Sequence, residues 1–258
     1  MDFAHLYHDL LWLGLSQNRE RPAQVLFWRD VFGSAGGNDL PPRDQRRNVK
    51  SLSWLAALLL VIVILISSFF LLVSSPDVYQ WLMKQNNVYQ DVDLPENLID
   101  RAAVTIAEYM TGRAPHLLIE YQGDSLFKAQ EVFHMYEVRR IFSHMRTGLI
   151  FCGLVLAGLV IVLGKQRNQV FLHQFWLMLG LFGLLSMAAL FFDQAFLWMH
   201  QLLFNNVFWA FHPSHYLIRL LPEGFFLGFL LLTAVIALGL STACYLVGRS
   251  DRKLKSYE

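Results

Sequence analysis

Four stretches of this chain run without a single Asp, Glu, Lys or Arg: Leu52 to Val73, Thr147 to Gly164, Val170 to Phe192 and Gly224 to Gly248. Coiled as helices, at about 1.5 Å per residue, each reaches about 27 Å or more and can cross the hydrocarbon core of a bilayer. The sequence therefore predicts an all-α integral membrane protein with four transmembrane helices. Composition agrees, since 55% of residues are hydrophobic and 16% charged, where a water-soluble domain carries about a quarter charged. The formal charge of +1 supplies no field to steer nucleic acid, and none is expected as a partner.

The charge-free runs divide the 258 residues. The expected order is an N-terminal cytoplasmic arm (1–51), a first span (52–73), a small extracytoplasmic and mainly helical cap (74–146), a second span (147–164) and a cytoplasmic turn (165–169). A third span (170–192, with room to extend to about 204), an extracytoplasmic interfacial segment (193–223), a fourth span (224–248) and a cytoplasmic tail (249–258) complete it. The Arg-rich arm is too long for a secretory signal and no small-residue cleavage site follows the first span, which is read as retained. Basic residues mark the inner side. Arg43, Arg46, Arg47 and Lys50 precede the first span, and Arg249, Arg252, Lys253 and Lys255 follow the last. Arg139, Arg140 and Arg146 disagree, but ten acidic residues in that loop outnumber its seven basic ones. Cys152 and Cys244 lie at different depths in two spans, cannot pair, and are read as packing residues.

In the arm, Phe3, Leu6, Leu10 and Leu13 share a helical face. That suits an amphipathic helix on the inner membrane surface or a docking segment for a cytoplasmic partner, and the residues do not separate the two. In the cap, Asp93, Pro95 and Glu96 predict a helix start and Gly112 its end. His116 to Tyr121, the turn Gln122, Gly123 and Asp124, and Ser125 to Phe127 predict a hairpin. A second cap helix carrying Glu131, His134 and Val138 leads to the second span. Residues 193–223 are too apolar for a free loop. Their aromatic residues suit the outer interface, with the third helix continuing past Phe192.

An ionisable group in an apolar helix near membrane depth is costly and therefore a functional candidate. Asp193 and His200, seven residues apart, meet that description. His134 has Glu131 one helical turn before it. The other histidines, His215 among them, stand in the arm, near a span end or in outer polar sequence and are read as solvated or satisfied. No Gly-x-Ser-x-Gly elbow, His-Glu-x-x-His helix or phosphate-binding glycine loop occurs. Residue chemistry alone leaves three classes: an enzyme using the two histidines, a haem- or metal-binding membrane protein using them as ligands, and a non-enzymatic scaffold.

Two strings favour the first. Glu131, His134, Met135, Glu137 and Val138 form one; Asp193, Phe196, His200, Phe204, Asn206, Trp209, Phe211, Pro213, Leu217, Ile218, Leu221, Pro222, Glu223, Phe225 and Phe226 form the other. Together they resemble the bacterial lipoprotein intramolecular transacylase family, over about Leu52 to Gly248. The resemblance implies a multi-pass protein of the bacterial cytoplasmic membrane, with both termini inside and its site at the outer leaflet. It implies an enzyme that moves the sn-2 acyl chain of an S-diacylglyceryl lipoprotein onto the α-amino group of its N-terminal cysteine. The product is the lyso form, the partners are the lipoprotein substrate and membrane lipids, and no cofactor or metal is required.

By the same resemblance the functional histidines are His134 and His200. His200 is assigned as general base and His134 as its partner, the exchanged roles being equally compatible with the residues, with Asp193 or Glu131 orienting them and Asn206, Trp209 and Arg219 as donors or headgroup contacts. Three features depart from the family's pattern: His212 stands where an acidic residue follows Trp-x-Phe, Glu137 stands in place of Asp, and the arm is longer.

Overall fold

The computed structural model describes residues 43–254; residues 1–42 of the expected arm, with its amphipathic stretch, and the last four residues lie outside them, and residues 43–51 of the arm belong to the first helix. The first helix is α1 (Arg43–Val73), followed by α2 (Pro76–Gln85), α3 (Val88–Asp91) and α4 (Glu96–Thr111). A two-stranded hairpin, β1 (Glu120–Tyr121) and β2 (Asp124–Ser125), leads to α5 (Ala129–Leu163), and a 3-10 turn (Gly164–Gln166) leads to α6 (Arg167–Leu190). Then come α7 (Phe192–Leu203), α8 (Tyr216–Leu220) and α9 (Glu223–Leu254). Among the described residues four helices, α1, α5, α6 and α9, are long and apolar enough to cross a membrane, as the charge-free runs require.

Two polar side chains between the spanning helices bond to each other. Gln174 of α6 donates to the Ser241 carbonyl of α9 (2.9 Å), and the Ser241 hydroxyl returns a bond to Gln174 Oε1 (3.0 Å). Such a closed pair leaves no unmet group in lipid and ties α6 to α9. Close backbone approach does the rest at Gly248, where a Cβ would stand 2.8 Å from Phe171 Cβ. On α1, the Trp54 ring stacks on His173 of α6 at 4.1 Å, nearly parallel.

Between α1 and α5 the chain builds a cap with a core of its own. Leu98, Ala102, Ile106 and Tyr109 line one face of α4 at helical spacing and are buried together with Leu82 and Met83 of α2. Leu217, Leu220, Phe225 and Phe229 from the far end of the sequence complete that core. Gly112, at φ 81°, ends α4 as expected. Pro95 rather than Asp93 occupies the position before the helix, and no side chain caps it. The hairpin is tighter than the sequence suggests: Gln122 and Gly123, at φ 54° and 90°, make a two-residue turn, and Asp124 pairs with Tyr121. Positive φ at both turn positions matches the strand twist and suits glycine at the second.

Two of the three arginines that contradict the charge rule, Arg139 and Arg146, have structural partners. Arg139 lies over the Tyr109 ring and donates to the Pro115 carbonyl (3.0 Å). Arg146 donates to Thr111 (2.9 Å) in the last turn of α4. They bind cap carbonyls to α5, and carbonyls left open at a helix end attract cations.

Two boundaries differ from expectation in ways that shape the site. The second span is the lower part of a longer helix, because α5 begins at Ala129 and continues unbroken. Past Leu190 the third helix breaks at Phe191 (φ −119°, ψ 44°) before α7 resumes. No proline or glycine stands at the break. Asp193 in the first turn of α7 suits a helix N-terminus, where a negative charge meets open N–H groups.

Candidate active site

The first eighteen residues of α5, Ala129 to Arg146, extend about 27 Å before the charge-free run begins. This extension carries His134. The last turn of α7 carries His200. Both histidines are buried, with ring centroids 5.8 Å apart and planes inclined by 30°. Four aromatic side chains surround the pair. Phe204 and Phe211 meet His134 edge-on at 4.8 and 5.5 Å, while Phe196 and Trp209 lie 4.1 and 5.1 Å from His200.

One hydrogen bond decides the chemistry of His200. Its Nδ1 lies 2.8 Å from the Phe196 carbonyl, one turn earlier in the same helix. A carbonyl only accepts, so Nδ1 carries the hydrogen and Nε2 keeps its lone pair. Burial pushes the His200 pKa below its ordinary value of 6.5, and the bond to Phe196 opposes that shift without reversing it. The neutral, basic form is the one present near pH 7. His134 has no such tether: its Nδ1 is buried without a hydrogen-bond partner.

The carboxylates act differently from the roles expected of them. Glu131 is fully buried, and its two oxygens accept 2.7 Å bonds from the main-chain N–H groups of Lys128 and Leu217. It closes the first turn of α5 and fastens α8 to it, so it positions backbone and does not orient a histidine. Asp193 is exposed and meets Glu223 of α9 carboxyl to carboxyl. The group that orients His200 is the Phe196 carbonyl. Arg219 donates to Asp91 in the cap (3.2 Å) and lies over Tyr216, so its bonds run to the cap.

Asn206 and Trp209 do join the site. Asn206 Nδ2 donates to Glu137 Oε1 (2.8 Å), its side-chain oxygen accepts from Phe208 N–H, and its main-chain carbonyl accepts from Trp209 Nε1 (2.8 Å). Gln130 adds bonds to the carbonyls of Phe208 and Ala210. The segment between α7 and α8 is thereby seamed along α5. Glu137, read from sequence only as a departure from a pattern, stands one turn from His134, and that i+3 spacing was the signal that tied it to the site. Among the described residues, no three or more His, Cys, Asp or Glu side chains gather closely enough to hold a metal ion.

A groove of about 990 Å³ lies elsewhere on α5, lined by Phe133, Tyr136, Arg139 and Arg140 and by Leu117 and Leu118 of the cap. Helical spacing puts these α5 residues roughly opposite Glu131, His134 and Val138.

Taken together, fold and site define a multi-pass helical membrane protein that shelters two imidazoles in an aromatic pocket where a span emerges beside its cap. Residues 54–226 match the family model for the lipoprotein intramolecular transacylase Lit, and the chain belongs to that family of acyltransferases. No curated protein matches it. Among solved structures, the membrane-integral lipoprotein intramolecular transacylase Lit from Bacillus cereus superposes with a TM-score of 0.71 at 20% identity. That match covers 82% of this chain and 99% of the other. Forms of the same protein with a histidine changed to arginine or to alanine match with TM-scores of 0.69, again at 20% identity. Each covers 83% of this chain, and 96% and 98% of theirs. At that identity the likeness is one of fold.

Proposed function

We propose that this protein moves the sn-2 acyl chain of a diacylglyceryl-modified lipoprotein onto the α-amino group of the same molecule's N-terminal cysteine, leaving the lyso form. The observation that carries the reading is His200, held by the Phe196 carbonyl with Nε2 unprotonated, its ring 5.8 Å from that of a second buried histidine.

An α-amine with a pKa near 8 is mostly protonated at neutral pH and needs a base before it can attack. His200 Nε2 takes that proton, and the nitrogen lone pair adds to the sn-2 ester carbonyl carbon. His134 stabilises the oxyanion or supplies a proton to the departing glycerol oxygen as the carbon–oxygen bond breaks. The ammonium loses two protons on its way to the amide: the first passes through His200 to water before attack, and the second, lost from the nitrogen of the tetrahedral intermediate, offsets the one given to glycerol, so no other reactant is needed. Nucleophile and ester belong to one molecule, and a pocket that holds it folded gains the advantage of an intramolecular reaction. The aromatic walls exclude water, which would otherwise hydrolyse the ester.

The helix pair α5 and α7 delivers both histidines to the cap end of the bundle. We place that end at the outer leaflet and both termini in the cytoplasm, on the basic residues flanking the first and last spans. Mass spectrometry of lipoprotein N-termini from cells with and without the protein tests the reading. The expected result is the lyso form only where the protein is present; its persistence in the protein's absence overturns the assignment.

A further inference from the structure

Among the described residues four buried polar atoms have no hydrogen-bond partner, and two of them, His134 Nδ1 and Glu137 Oε2, stand on the part of α5 that builds the site. They belong to residues three apart on α5, which places their side chains on neighbouring turns of one face. Glu137 is not free to swing toward water, because Asn206 holds its other oxygen at 2.8 Å. Asn206 in turn accepts from Trp209 Nε1, and the Trp209 ring lies 5.1 Å from His200. The unmet carboxylate oxygen is thus tied into the wall that surrounds the histidine pair. Burying an acceptor without a donor is costly, more so for a carboxylate, and a ligand bearing the missing donor removes the cost.

The proposed reaction brings in such a donor. A primary ammonium is compact, positively charged and carries three N–H bonds, so it can satisfy a carboxylate oxygen and an imidazole lone pair together. We propose that Glu137 Oε2 and His134 Nδ1 form the seat of the substrate's α-ammonium group. The proposal rests on the acyl-transfer reading and names how that site recognises a free N-terminus. It also fixes the tautomer of His134. If Nδ1 accepts from the ammonium, Nε2 carries the hydrogen and is the donor for the oxyanion or the leaving glycerol oxygen. Glu137 then contributes to binding and selectivity, and His200 to proton removal.

The test is binding, measured on the full-length protein in detergent with ether-linked dialkylglyceryl-cysteine lipopeptides that cannot transfer an acyl chain. One ligand has a free α-amine and the other is N-acetylated. Wild-type protein is expected to prefer the free amine by about tenfold or more, as a charge-assisted bond would give. E137Q keeps an oxygen for Asn206 but turns a donor toward the ammonium. It should bring the two ligands to near parity while binding of the acetylated one stays unchanged, and E137D should restore part of the preference. The ratio is internal to each preparation, so a partly unfolded variant does not distort it. An E137Q protein that keeps the wild-type preference, or that weakens both ligands equally, overturns the ammonium seat. Wild-type protein that fails to convert an ester-linked lipopeptide to the lyso form overturns the acyl-transfer reading instead, and the binding ratio is read independently of turnover.

Discussion

The two ends of α5 share one unbroken helix and live in different solvents. Near its start, Glu131, His134 and Met135 are buried, and Glu131 and Glu137 are fixed by hydrogen bonds. Toward its end, Phe151, Leu154 and Ile161 are 67–78% exposed on the protein, a face that lipid covers. The first end gains from specific polar partners in a packed surrounding, so single atoms matter there. The second needs only to be apolar and long enough. The contrast teaches that in this molecule specificity is carried where the helix leaves the membrane, and the span below acts as its support.

Substitutions at the two ends should break or sharpen that contrast. The largest effects belong to the histidines: H200A and H134A should insert normally yet lose about 10²- to 10⁴-fold in conversion of diacylglyceryl lipopeptide, as general acid–base groups do. Equal conversion by either variant, measured by mass spectrometry, would break the proposed assignment. Next is E131A, which leaves the N–H groups of Lys128 and Leu217 unmet. It should cost about 3 kcal/mol, the scale of two hydrogen bonds to a charged group discounted for partial rehydration, and should lower the unfolding midpoint in detergent.

A pH profile sharpens the picture further. Since burial lowers the His200 pKa from 6.5, the neutral base persists below that value, and activity should fall only as pH drops through the lowered one. W209A removes a ring from beside His200, relieves part of the burial and should move that acid limb upward toward 6.5. A limb that stays in place would argue that Trp209 does not shield the imidazole. Smallest of all is L154A, on the lipid-facing end, for which a change in stability within about 0.5 kcal/mol and unaltered turnover are expected. A large loss there would erase the distinction between the two ends.

How much of this was legible beforehand depends on how far apart the partners stand. The four spans declare themselves locally, because charge is excluded from each over eighteen residues or more. The histidines declare themselves through the cost of an ionisable group among aromatic residues. The roles of the carboxylates do not. One of the two partners of Glu131 is a backbone amide eighty-six residues away, and backbone amides carry no sequence signature. Asp193, seven residues before His200, has the right helical spacing to orient it, but the imidazole finds the nearer Phe196 carbonyl and Asp193 turns to Glu223. The inverted charge signal at Arg139 and Arg146 has a similar origin. Counting charges says nothing of carbonyls held within reach by the fold.

The helix α7 has a consequence for how turnover should scale. His200 and Phe196 face inward from it, while Trp198 and Leu202, 65% and 83% exposed, face out on its other side. With the site at the outer leaflet, as proposed above, one helix about 10 Å across would stand between the imidazoles and acyl tails. A lipid-anchored substrate then reaches them by diffusing in two dimensions and never samples bulk water. The concentration that governs such a reaction is the substrate's mole fraction in the membrane. Adding inert lipid at constant total substrate should slow it, while diluting the whole suspension should leave the rate per enzyme unchanged.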